Sequence, residues 1–133
     1  MKLIADTGLL VAWLNRGDAH HTWARNLITV AEFPILTSEP VLTEAAWHLR
    51  NVEKLLELVT TDVLRPCLDC RQEGAALLAL ARRFGDRQPD FCDLSVVRLS
   101  ELFPQHEVAT VDRRDFTVYR RFVDQVIPFV CPE

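Results

Sequence analysis

The chain has 133 residues, 49% of them hydrophobic and 26% charged, with a formal net charge of −4. That length suits one compact domain that buries its core without staples, and no apolar run approaches the roughly 18 residues of a membrane span, so a soluble protein is expected. The acidic balance argues against a general nucleic-acid coat, which would leave an electropositive footprint, but not against a nuclease, because carboxylates gathered around a divalent metal account for such an excess.

The first strand is read in Lys2-Leu3-Ile4-Ala5, an apolar run that stops at Asp6 and then Gly8. A strand buried on both faces of a parallel sheet ends this way, and ligands gather outside the carboxyl ends of such strands. No basic and apolar leader precedes it, so the expected location is the cytoplasm. Leu9 to Leu14 reads as a short helix closed by Asn15-Arg16-Gly17, and Asp18 is placed as the cap of a second helix running to about Phe33, where Pro34 stops it. His20 and His21 fall in its first turn and read as packing or solvated side chains. Ile35-Leu36-Thr37 is a second strand; Ser38 caps a helix from Pro40 to Arg50. Glu44 lies on that helix among Val41, Leu42, Ala45, Ala46 and Trp47, so it borders a buried face rather than a solvated stripe.

Asn51 to Thr60 continues as helix, and Val63-Leu64 is a third short strand. Cys67-Leu68-Asp69-Cys70 has zinc or redox spacing, but a closed zinc site needs a second ligand pair at matching spacing, so reduced thiols are expected, as for Cys92 and Cys131. A helix spans Glu73 to Phe84 and Gly85 ends it; after the linker Asp86 to Pro89, Asp90 caps a helix to about Phe103 with Asp93 at its third position. Two acids favoured by the helix dipole would explain this pair without any chemistry, more readily for Asp90 than for Asp93. Glu107 to Asp112 is a fourth strand ending in a carboxylate, Asp112 to Phe116 a turn or short helix, and Val126 to Phe129 a last strand marked as an edge by Pro128.

Four acids stand out by position: Asp6 and Asp112 at strand ends, Glu44 on the inner side of a helix, and Asp93 in the first turn of another. If the two strands are parallel neighbours, the four meet in one cleft. Like-charge repulsion then calls for bound cation or raised pKa values, and an all-oxygen set selects Mg²⁺ or Mn²⁺ over zinc. One ion, or two about 4 Å apart, would activate water and steady charge on a phosphodiester.

A strand ending Ala5-Asp6-Thr7, the Leu42-Thr43-Glu44-Ala45 helix, Pro89-Asp90-Phe91-Cys92-Asp93 opening another, and Ala109-Thr110-Val111-Asp112-Arg113-Arg114-Asp115-Phe116 together resemble the PIN domain. Each piece is weak alone; four in this order over essentially the whole chain are specific. The resemblance implies a single α/β domain over residues 1–133, with a central, mostly parallel sheet of four to five strands flanked by helices, and Mg²⁺- or Mn²⁺-dependent endoribonuclease activity. Small stand-alone members similar to this chain are mostly VapC-like toxins held inactive by an antitoxin. Asp6, Glu44, Asp93 and Asp112 match the family's acidic quartet, Asp90 and Asp115 its accessory acids, and Thr7 and Thr110 hydroxyls near the metal; Leu94 departs from the usual Ala after the third acid.

Asp6-Thr7-Gly8 is also the aspartic-protease triplet, but those enzymes are all-β. A haloacid-dehalogenase-like phosphatase would need an acid where Gly8 stands. The rivals that remain are a PIN-like fold kept as an RNA- or protein-binding module with weak or no catalysis, and a stand-alone RNA-processing nuclease. Thirteen of the fifteen basic residues are Arg, suited to bidentate phosphate contacts; Arg113, Arg114, Arg120 and Arg121 are expected at the cleft rim, facing RNA phosphates or an acidic antitoxin tail. Trp13, Trp23, Phe33 and Trp47 exceed what one small core absorbs, so a homodimer is expected.

Overall fold

The computed structural model describes residues 1–133. Five short strands form one parallel sheet: β1 (Leu3–Ala5), β2 (Ile35–Thr37), β3 (Leu64–Pro66), β4 (Glu107–Ala109) and β7 (Phe129–Val130), in the order β3-β2-β1-β4-β7. Ile4 is paired with Leu36 on one side and Val108 on the other, and Val108 with Phe129. Parallel strands need crossovers, and helices supply them: α1 (Thr7–Leu14) and α2 (His21–Val30) lead to β2, α3 (Glu39–Leu49) and α4 (Val52–Thr60) to β3, and α5 (Cys70–Arg83) and α6 (Phe91–Leu102) to β4. Both faces are therefore covered, which is why Leu3, Ile4, Ala5 and Ile35 are apolar and wholly buried.

From β1 the chain winds outward through β2 to β3, then crosses back to place β4 on the other flank of β1. The order reverses between β1 and β4, and a crevice opens there beyond their carboxyl ends. Asp6 and Asp112 stand at that crevice, the first one residue past β1 and the second three residues past β4.

Several boundaries differ from the sequence reading for local reasons. Asp18 does not cap α2; its Oδ1 accepts from the His20 backbone N–H at 2.8 Å, closing a turn before the helix begins at His21, and the helix ends at Val30 rather than Phe33. Helix α5 begins at Cys70, three residues before Glu73, because Asp69 accepts from the Arg71 and Gln72 backbone N–H groups. All four cysteines are free, with Cys67 half-buried and Cys70 exposed on the first turn of α5.

Residues 126–129 do not form one strand. A short helix, α7 (Arg113–Val118), runs into an antiparallel hairpin of β5 (Arg120–Arg121) and β6 (Gln125–Val126), and only after Ile127 and Pro128 does the chain join the sheet as its edge strand β7. Arg121 anchors that hairpin. It is 4% exposed and donates to the carbonyls of Ser100 at 2.7 Å and Pro104 at 3.3 Å, at the carboxyl end of α6, where a cation meets the negative end of the helix.

Candidate metal-binding active site

Asp6, Asp90 and Asp112 each cap a helix. Asp6 Oδ1 accepts from the Thr7 backbone N–H at 2.9 Å at the head of α1, Asp90 Oδ1 from Asp93 at 2.8 Å at the head of α6, and Asp112 Oδ1 from Asp115 at 3.1 Å at the head of α7. Capping thus explains why acids sit where they do, and three helix N-termini turn their positive ends toward the crevice. It leaves each of these carboxylates a second oxygen. That of Asp6 accepts from Thr110 Oγ1 at 2.7 Å, and the same hydroxyl oxygen accepts from the Asp112 backbone N–H at 3.0 Å. One threonine therefore locks the carboxyl end of β1 to the turn after β4.

The two helices that carry Glu44 and Asp93 are held together beneath the cleft. Ser38, which caps α3 through the Val41 N–H, shares a buried 2.7 Å hydrogen bond with Ser95 of α6, and the Cys92 thiol donates to the Pro40 carbonyl at 3.2 Å. Burial, with Glu44 beside it, pushes that thiol up and keeps it neutral. Glu44 is half-buried on the cleft wall, with Val41 and Ala45 of its helix in the core; Trp47, read as part of that apolar face, is instead 69% exposed.

The cleft encloses about 350 Å³ and is walled by Asp6, Asp18, Glu44, Asp90, Asp93, Asp112 and Asp115 together with Thr7, Gly8, Val11, Val111, Cys92, His20 and His48. Seven of these are acids and none is Lys or Arg. Burial raises Asp6 to about 6 despite the hydrogen bonds from Thr110 and Thr7, and Glu44 and Asp112 add to the rise. Burial, then Asp90, raises Asp93 to about 7, although the Tyr119 hydroxyl donates to its Oδ2 at 3.0 Å. Asp115 is raised as well, by burial and by the Asp112 carboxylate beside it. Raised values of this kind mark carboxyls held without a counter-charge.

The donor set fits a hard divalent cation. It is all oxygen apart from two imidazoles and a neutral thiol, and the buried Thr7 Oγ1 has no hydrogen-bond partner although its residue lines the cleft. No three acidic, His or Cys side chains converge into a ready-made cage. Mg²⁺ does not need one, since it keeps several waters and is held through one or two carboxylates.

The quartet expected from the sequence is thus brought to one cleft, as are the accessory Asp90, Asp115 and Thr7; Thr110 acts from behind Asp6. The four arginines divide. Arg113 and Arg114 are exposed on α7, whose cap and first turn line the cleft. Arg120 is half-buried and folds back on the carbonyls of Thr117, Val118 and Tyr119, and Arg121 is buried at the far end of α6, so it is not a rim residue. Sequence reasoning missed Tyr119, which had no local signal, and the wall positions of Asp18, His20 and His48, which depend on how α1, α2 and α3 are set against one another. Gly8 matters for the same geometry: a Cβ there would overlap the Val111 side chain, so the absence of a side chain lets the start of α1 close on the turn that bears Asp112.

A parallel α/β sheet whose switch-point crevice is walled by carboxylates and helix N-termini is the architecture of a nuclease-type domain. The PIN domain family model matches residues 3–126, and the chain belongs to that family. PIN domains are generally nucleases that use Mg²⁺ or Mn²⁺. A comparison with curated proteins gives no match.

Proposed function

We propose that this protein is an endoribonuclease that hydrolyses RNA phosphodiesters with Mg²⁺ or Mn²⁺, and that it is the toxin of a toxin–antitoxin pair. The observation that carries the nuclease reading is the cleft in which Asp6, Glu44, Asp93 and Asp112 face one space whose walls include no Lys or Arg. Those four residues would hold the ion, and the ion supplies Lewis-acid stabilisation of the charge that develops on the phosphate. Thr110 fixes Asp6, Tyr119 orients Asp93, and the exposed Arg113 and Arg114 on α7 attract the phosphates of the strand toward a cleft that would otherwise repel them.

The partners follow from the same surface. A basic side chain of an antitoxin segment entering the cleft would compete with metal for the carboxylates, and the exposed Val52 and Leu56 on α4 offer a second copy an apolar face. The rival reading is a PIN-like module that binds RNA or protein with weak or no catalysis.

The metal requirement of RNA cleavage separates them. Activity is expected with Mg²⁺ or Mn²⁺, is expected to disappear with chelator, and should be untouched by Cys67→Ser and Cys70→Ser. Binding of RNA without cleavage at any Mg²⁺ or Mn²⁺ concentration would favour the module, and activity restored only by Zn²⁺ and lost in the cysteine variants would place the chemistry at the thiols instead.

A further inference from the structure

Beside the acidic cleft lies a second, mostly apolar depression of about 640 Å³, walled by Pro40, Trp47, Leu68 and Phe91 and sharing Glu44 and Cys92 with the cleft. Its two aromatic rings are tied to the acids by helix register. Trp47 follows Glu44 by three residues and so lies one turn along the same side of α3, while Phe91 stands between Asp90 and Asp93 in the first turn of α6. Trp47 is 69% exposed and Phe91 47%, so neither is held there by the core.

The Arg50 guanidinium lies over the Trp47 ring, 5.6 Å from its centroid, at the left-handed carboxyl cap of α3. A cation and an aromatic plane together are what a single-stranded nucleotide recognises: the ring takes the base face and the guanidinium the adjoining phosphate or a second face of the base. The cleft itself offers phosphate no Lys or Arg, so the Arg50 cation over the Trp47 ring complements a strand that the acids alone would repel.

Resting on the nuclease reading above, we propose that this groove is a nucleobase subsite, in which a base flanking the scissile phosphate of single-stranded RNA stacks on Trp47. The shared walls Glu44 and Cys92 set the groove directly beside the cleft, so a strand whose phosphate lies among the acids brings its neighbouring base toward the ring. Stacking reads a π-face that every base has, so the subsite adds affinity and positioning more than base identity.

The test compares cleavage of a short single-stranded RNA, intact or with one abasic nucleotide scanned along it, by wild type, Trp47→Ala and Trp47→Phe. Trp47 is solvent-facing, so its removal leaves the core untouched, and circular dichroism checks that directly. The expected result is a KM raised about tenfold in Trp47→Ala, within the range that base–aromatic stacking commands, with kcat nearly unchanged and Trp47→Phe close to wild type. One abasic position should cost wild type a similar factor and cost Trp47→Ala almost nothing. Equal KM for wild type and Trp47→Ala, or abasic penalties of the same size in both, would overturn the subsite while leaving the nuclease intact. Loss of self-association in Trp47→Ala with unchanged KM for RNA would overturn it too, assigning the groove to a protein. Absence of cleavage by wild type would instead remove the nuclease reading on which the subsite rests.

Discussion

Asp6 answers to two demands at once. It is buried where it closes the end of β1, at 7% exposure, and on the proposed function it must be ionised to hold a cation. Burial raises it from 3.8 to about 6, so between those values the folded chain holds a proton that the unfolded chain has lost. Stability of the metal-free protein therefore falls as pH rises through that window, and Asp93, raised to about 7, extends the fall toward neutrality. For Asp6 the full penalty above pH 6 is on the order of 3 kcal/mol. Asp6→Asn removes the charge and almost no volume, so in chelator at pH 7.5 it should melt several degrees above wild type, with a flatter dependence between pH 4.5 and 7. Thermal unfolding followed across that range measures it, and a variant that melts lower than wild type at pH 7.5 would show that the carboxylate stabilises the fold. Tyr119→Phe keeps a ring packed edge-on against Phe84 and Phe116 but loses the hydrogen bond to Asp93. It should cost about 1 kcal/mol and raise Asp93 further, so Mg²⁺ binding should require a higher pH than in wild type. Calorimetric titrations at pH 6.5 and 8 would reveal identical profiles if the hydroxyl had no part in orienting Asp93.

At the scale of elements, the turn after β4 is set by contacts with β1 and the start of α1. Gly8→Ala would press a methyl group into Val111 and shift the turn that carries Asp112; overpacking of this kind costs roughly 1–3 kcal/mol. A lower melting temperature together with reduced cleavage is expected, and a variant with wild-type values of both would mean that the turn gives way freely. The same elements show what was legible in advance. Leu3-Ile4-Ala5-Asp6 and Glu107 to Asp112 could be read as buried strands leading to acids because apolar runs of this kind suit a sheet covered on both faces, although β4 itself ends at Ala109, three residues before Asp112. Ser38 and Asp90 could be read as caps because the capping chemistry is local, and Asp90 does accept from the Asp93 N–H. Asp69 obeys the same rule but is not legible in the sequence, since the apolar periodicity of α5 becomes clear only beyond Glu73. Arg121 misled because a buried guanidinium needs carbonyl partners, Ser100 and Pro104, that lie 21 and 17 residues away. Tyr119 and its bond to Asp93 across 26 residues were equally beyond local reasoning.

Over the whole molecule the aromatic residues sort into two sets. Trp13 and Trp23 are half-buried against the core, whereas Phe33 and Trp47 are exposed, so only part of the aromatic excess is available to a partner. No helix is long and apolar enough to cross a membrane. A homodimer should appear in light scattering at micromolar concentration as twice the 15.2 kDa of one chain, and charging the α4 face with Leu56→Glu should return it to the monomer. A single species of 15.2 kDa in the wild type would remove the second copy from the account. If the cleft takes up a divalent cation as proposed, binding would relieve the repulsion among its acids and release the protons held by Asp6 and Asp93. Mg²⁺ should bind more tightly at pH 8 than at pH 6, and should raise the melting temperature in proportion to the logarithm of its concentration at saturation.

The most direct measurement is cleavage of a labelled single-stranded RNA in Mg²⁺ by wild type and by Asp6→Asn, each checked as folded by circular dichroism. Endonucleolytic fragments from wild type alone, abolished by chelator and absent at every time point for the variant, are the predicted result. Cleavage by Asp6→Asn at the wild-type rate would contradict the account, because the acid at the centre of the cleft would then have no part in the chemistry.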